Sequence, residues 1–62
     1  SPAMNLPLKS VLVKYSAPFF LFDEGAVETT LWESKNNALV FVHRVYNLSR
    51  GGELAALVIE EF

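Results

Sequence analysis

Cysteine is absent from this 62-residue chain, so neither a disulfide nor a thiolate metal site can stiffen it. Only one histidine is present, and without cysteine a metal site would need several carboxylates to converge from separate turns. No metal motif or cofactor motif is visible. Long apolar runs are missing as well. The longest, "APFFLF" and "ALVFV", are far too short to cross a bilayer, which points to a soluble protein. No basic stripe exists either, because five basic and seven acidic residues are scattered to a net charge of −2. A basic n-region followed by an unbroken apolar core is also lacking, so the reading is of a soluble, intracellular protein, cytoplasmic by preference. Internal repeats, low-complexity tracts and linkers are absent.

What is present is apolar surface. Hydrophobic residues make up 52% of the chain and aromatics 13%, a high content for a domain with so little interior. A folded monomer of this size buries about 60% of its surface. The hydrophobic gain from that burial, about 90 kcal/mol, is matched by an ordering cost of about the same size. A lone chain therefore has no evident surplus, and contiguous exposed apolar surface in soluble proteins usually marks a contact site. At the N-terminus "SPAM" reads as a cloning remnant over residues 1–3 with a native start at Met4, leaving 4–62 as a single small domain.

The patterning is β-like. In "LKSVLVKYSA", residues 8–17, Val11, Val13, Tyr15 and Ala17 fall on one face, and Leu12, Lys14 and Ser16 on the other. Pro18 interrupts, marking an edge or a bulge, and "FFLF" is expected to continue the extended chain. "DEG", residues 23–25, with glycine third, suits a three-residue hairpin with a left-handed glycine, pairing the first two strands. "AVETTLWES", residues 26–34, sets Val27, Thr29 and Leu31 opposite Glu28, Thr30 and Trp32. "SKNN" suits a second tight turn. In "ALVFVHRVYN", residues 38–47, Leu39, Phe41, His43 and Val45 share one face, and Ala38, Val40, Val42, Arg44 and Tyr46 the other. Both faces are apolar at its start, as in a central strand. "NLSRGG" is a loop. The final segment, "ELAALVIEEF", is open to helix or strand; Glu60 and Glu61 at a helix C-terminus would oppose the macrodipole, and Val-Ile is a strand pair, so strand is preferred. The fold class is thus all-β, a small antiparallel meander of about four strands, or α+β if the last segment were helical. With no convincing helix to cover it, such a sheet would be completed by self-association or by a partner.

Chemistry-bearing constellations are weak. His43 with Asp23, Glu24 or Glu28 is a nominal acid–base pair, but a half-exposed polar residue on a strand is the commoner meaning. Ser10, Ser16, Ser34 and Ser49 have no Gly-x-Ser-x-Gly setting. "SRGG" lacks the Gly-Lys-Ser ending of a phosphate loop, and "NLS", though a glycosylation sequon, reads as a turn. The expectation is a non-enzymatic protein-interaction or assembly module without cofactor. It would bind itself or a larger protein through Phe19, Phe20, Phe22 and Trp32, with Arg44 and Tyr46 at the rim. Two bland alternatives stand beside this: Pro18 bends the chain and hides both Phe19 and Phe20 in one small core, and Tyr46 packs at the core margin under Arg44. The competing function is a small β-barrel-like nucleic-acid binder centred on Arg44 and Tyr46, which share a face.

Overall fold

The computed structural model describes residues 7–35 and 38–62. The proposed remnant 1–3, the start at Met4 and the turn residues Asn36 and Asn37 lie outside the described residues. Four strands form one open antiparallel sheet: β1, Ser10–Tyr15; β2, Gly25–Lys35; β3, Ala38–Asn47; and β4, Glu53–Glu61. Their order across the sheet is β1-β4-β3-β2. The all-β reading holds, and the last segment is a strand. There Val58 and Ile59 take opposite faces, Val58 beside Val13 and His43, Ile59 beside Leu12 and Val42. A helix would have put both on one stripe with no sheet to receive them.

The meander runs through β2, β3 and β4, but the expected hairpin between the first two strands does not form. β1 pairs with β4, from Ser10 opposite Glu61 to Tyr15 opposite Ala56, so the order is that of a Greek key read from its C-terminal end. To reach β2, residues 16–24 must cross three inter-strand spacings, about 14 Å, which a three-residue hairpin cannot do. The crossing begins where the Ala55 carbonyl accepts both the Ser16 and the Ala17 N–H, at 2.8 and 3.2 Å. Ala55 is freed for this by a bulge: opposite it the register jumps from Val45–Ala56 to Tyr46–Leu54. "FFLF" is correspondingly not extended. Phe20 to Asp23 make a turn closed by Asp23 N–H donating to Phe20 O at 3.0 Å. Gly25 does not take the left-handed conformation; Phe22 does, at φ 70°, a position where glycine or asparagine is the usual residue.

Cross-strand partners share a face, so the register sorts the side chains. On one face lie Leu12, Lys14, Leu57, Ile59, Val40, Val42, Arg44, Glu28 and Thr30; we call it the Arg44 face. On the other, the His43 face, lie Val11, Val13, Tyr15, Val58, Glu60, Phe41, Val45, Val27, Thr29 and Leu31. No second layer covers either face among the described residues. The only buried apolar side chains there are Val42, 7% exposed, and Ala55, 3%, while fourteen large apolar side chains are exposed. The radius of gyration, 13.8 Å, exceeds the roughly 11 Å of a compact chain of this length. The shape is a slab of 39 × 23 × 15 Å.

Candidate functional site

The aromatic residues singled out from sequence fall into two groups. Phe19, Phe20 and Phe22 sit in the crossing loop at one end of the sheet, each in a different setting. Phe19 lies over the start of β2, so close that a Cβ on Gly25 would stand 2.9 Å from its ring. It also lines an open groove on the His43 face with Tyr15, Pro18, Val45 and Ala56. Phe20 carries the Arg50 guanidinium over its ring, 4.1 Å from the centroid, a cation–π contact between two half-exposed groups. Phe22, at the turn, is 91% exposed. Neither the fully hidden pair that a bend at Pro18 would give nor the extended run expected of "FFLF" is seen.

Trp32 is elsewhere. The β2–β3 register shifts between Leu31 and Glu33, leaving Trp32 as the extra residue of a bulge, and bulges re-aim side chains. It lines an open groove of about 320 Å³ on the Arg44 face with Thr30, Val42, Arg44, Leu57 and Ile59, and it is 69% exposed. Arg44 sits in the same groove, Nη1 3.5 Å from Glu28 Oε1 and 3.4 Å from Thr30 Oγ1. Tyr46 lies on this face too, opposite Ala26 on β2 and Leu54 on β4, and is half-buried. The structure therefore brings Trp32 and Arg44 together and holds the phenylalanines apart from them.

Two polar arrangements were not read from the sequence. The first ties down the crossing loop. Asn47, the last residue of β3, is fully buried. Its Oδ1 accepts the Ser49 N–H at 3.0 Å, capping the 3₁₀ turn Leu48–Arg50, while its Nδ2 donates to Asp23 Oδ2 at 2.8 Å. Asp23 also accepts the Phe20 N–H at 3.0 Å and Arg50 Nε–H at 3.3 Å. The Asn47 amide, then the Phe20 N–H, hold the Asp23 carboxyl below its usual range against the opposing effect of desolvation, and Arg50 adds a smaller contribution in the same direction. "NLS" held the only signal: asparagine two residues before serine is the Asx pattern for a side-chain cap. The left-handed Gly51 and Gly52 that follow allow the return into β4.

The second arrangement runs across the His43 face. His43 Nδ1 is 2.8 Å from Thr29 Oγ1 on β2, and its Nε2 bonds Glu60 Oε1 on β4. A tautomer with its proton on Nε2 donates to the carboxylate and accepts from the threonine hydroxyl at Nδ1. This partner is Glu60, not the Asp23, Glu24 or Glu28 weighed from sequence. Hydroxyl, imidazole and carboxylate in a row resemble a nucleophilic relay, but His43 lies mid-strand and Glu60 is paired on both sides, with Val11 and Phe41. There the main-chain N–H groups run within the sheet to neighbouring strands, so none is aimed off the face to stabilise an oxyanion. What the relay does achieve is mutual satisfaction of three polar groups among apolar neighbours such as Val13, Val58 and Phe41. Phe41 stacks beside His43, ring centroids 6.5 Å apart, and Phe62 meets Phe41 edge-on at 6.0 Å.

Among the described residues no group of three histidine or acidic side chains is placed to hold a metal ion, and no helix is long and apolar enough to cross a membrane. No family model matches the chain, and no curated protein or solved structure is significantly similar to it.

Proposed function

We propose that this protein is a non-enzymatic interaction or assembly module: a one-layer sheet whose core is completed by another polypeptide, either a copy of itself or a larger protein. One observation carries the reading. A four-stranded sheet with only Val42 and Ala55 buried among its described apolar side chains lacks the second layer that stable domains use to bury a sheet face. Association would supply it. The middle of the His43 face suits burial because Glu60, His43 and Thr29 already satisfy one another there. The Arg44 face offers a groove with an aromatic and an arginine, the residue types that concentrate binding energy. The crossing loop adds Phe22 at an exposed turn.

The nucleic-acid reading has less support. The sheet is open rather than a closed barrel, Arg44 is shared with Glu28, and the net charge is negative, so the electrostatic term that dominates such binding is missing. Solution mass by light scattering behind size exclusion, over a dilution series, tests the proposal. A mass above one chain supports self-association. A stable, cooperatively folded monomer that binds no hydrophobic dye would refute it, because no exposed core would then be waiting for cover.

A further inference from the structure

The two edges of the sheet are built differently. β2 is protected in the ways natural edges are: it carries a bulge at Trp32 and the charged residues Glu28 and Glu33. β1, "SVLVKY", has neither bulge nor proline; it puts Val11 and Val13 on one face and Leu12 on the other, with Lys14 as its single charge. No described element lies beyond it.

The ladder fixes which of its main-chain groups are open. Ser16 N–H donates to Ala55 O directly across, so alternation assigns the even-numbered residues of β1 to β4. On the far side, the Leu39–Phe62 pair exchanges both bonds, which turns the even residues of β4 toward β3 and its odd residues toward β1, in agreement. The N–H and C=O groups of Val11, Val13 and Tyr15 therefore point outward, away from the sheet.

Extending the assembly reading above from the faces of the sheet to its edge, we infer that a second copy of this chain joins it edge to edge through β1 in an antiparallel pair centred on Val13. A two-fold axis normal to the sheet pairs residues whose numbers sum to an even constant, keeping like faces together. Centring on Val13 places Val13 opposite the partner's Val13 and Val11 opposite the partner's Tyr15. All three outward residues are then used, for about six main-chain hydrogen bonds. It also sets Lys14 beside the partner's Leu12. Centring on Lys14 would oppose two ammonium groups directly, and centring on Leu12 would leave Tyr15 without a partner residue inside the strand. Val13 is thus the register in which the strand complements itself: an aromatic against a β-branched residue on the His43 face, and no like charges opposed on the Arg44 face. The product is an eight-stranded single-layer sheet, which sets like faces side by side and widens the surface that a second layer would cover. Because one six-residue edge buries less than the roughly 800 Å² per partner of a standard interface, the dimer should dissociate on dilution through the micromolar range.

The absence of cysteine makes the register directly readable. Residues opposite each other in a hydrogen-bonded pair have Cα atoms about 5.5 Å apart, within disulfide reach. Val13→Cys should oxidise to a covalent dimer. Leu12→Cys and Lys14→Cys should each stay monomeric when oxidised alone and give a heterodimer when mixed. Equal cross-linking at all three positions, or none at Val13→Cys in chains that associate, would overturn the proposal. Val13→Pro gives a second readout, since the N–H it removes is not used by the chain's own ladder. It should retain the native β-sheet circular dichroism and lose the dimer. If Val13→Pro still associates, the edge assignment fails while the assembly reading stands. If the unmodified chain is a monomer at every concentration, the proposal of a second copy fails outright, and only docking on a different protein is left for the assembly reading.

Discussion

Replacing Asn47 with alanine tests whether the crossing loop is held by one buried amide. In the structure that side chain is fully enclosed and makes two bonds, one capping the 3₁₀ turn at Ser49 and one to the Asp23 carboxylate. Loss of a side-chain cap costs about 1 kcal/mol, and loss of a hydrogen bond to a charged group about 1.5–3 kcal/mol. The two overlap, so the expected loss is about 3 kcal/mol, a large part of what a domain this small has. Urea denaturation followed by circular dichroism, at one fixed protein concentration so that association does not shift the midpoint, should show the midpoint falling by about 3 M if m is near 1 kcal/mol/M. In an Asp23→Ala background the same change should cost only about 1 kcal/mol, the cap alone. A loss below about 0.5 kcal/mol, or an equal loss in both backgrounds, would refute the account of Asn47 as the tie between β3 and the crossing loop.

Three further outcomes follow from the same geometry. Carbon-detected NMR titration should find the Asp23 carboxyl titrating below its ordinary 3.8 and returning toward it in Asn47→Ala; because the folded value is the depressed one, the stability linked to Asp23 is present above the unfolded value and is lost as pH falls through the folded one. Phe22→Gly should raise thermal stability or leave it unchanged, since the left-handed backbone at φ 70° costs a phenylalanine about 1–3 kcal/mol, and a clear fall in melting temperature would mean the exposed ring is packed after all. Gly25→Ala should cost less than about 1 kcal/mol, because the atom it meets is the end of the movable Phe19 ring; calorimetry showing a larger loss, undiminished in a Phe19→Ala background, would show that the crowding lies in the backbone.

Much of the fold was legible because period-two patterning is a local property. Leu39, Phe41, His43 and Val45 against Val40, Val42, Arg44 and Tyr46 could be sorted into faces by alternation alone, and the register sorts them the same way. The repulsion of Glu60 and Glu61 from a helix C-terminus was enough to choose strand for the last segment. Strand order was not legible. "DEG" has the composition of a hairpin, and nothing local says that Ser16 and Ala17 both bond the Ala55 carbonyl some forty residues later. The bulges at Trp32 and Ala55 are equally silent in sequence, since each depends on a partner strand that alternation does not name. For the site, the aromatic residues were found by type, but their division between the crossing loop and the Arg44 face follows from topology. Asn47 was passed over because a loop asparagine ordinarily faces solvent, and only the fold encloses it.

Pairing the first strand with the last has a cost in time. Ser10 meets Glu61 and Tyr15 meets Ala56, contacts that close loops of most of the chain's length, whereas β2, β3 and β4 can zip together through neighbouring turns. Such distant pairings form slowly. A nascent chain therefore carries β1, its least guarded strand, unpaired until β4 has been made. For that interval the apolar segment from Ser10 to Tyr15 is open to any edge it meets, and the order of synthesis, as much as the final structure, decides which neighbour it finds first.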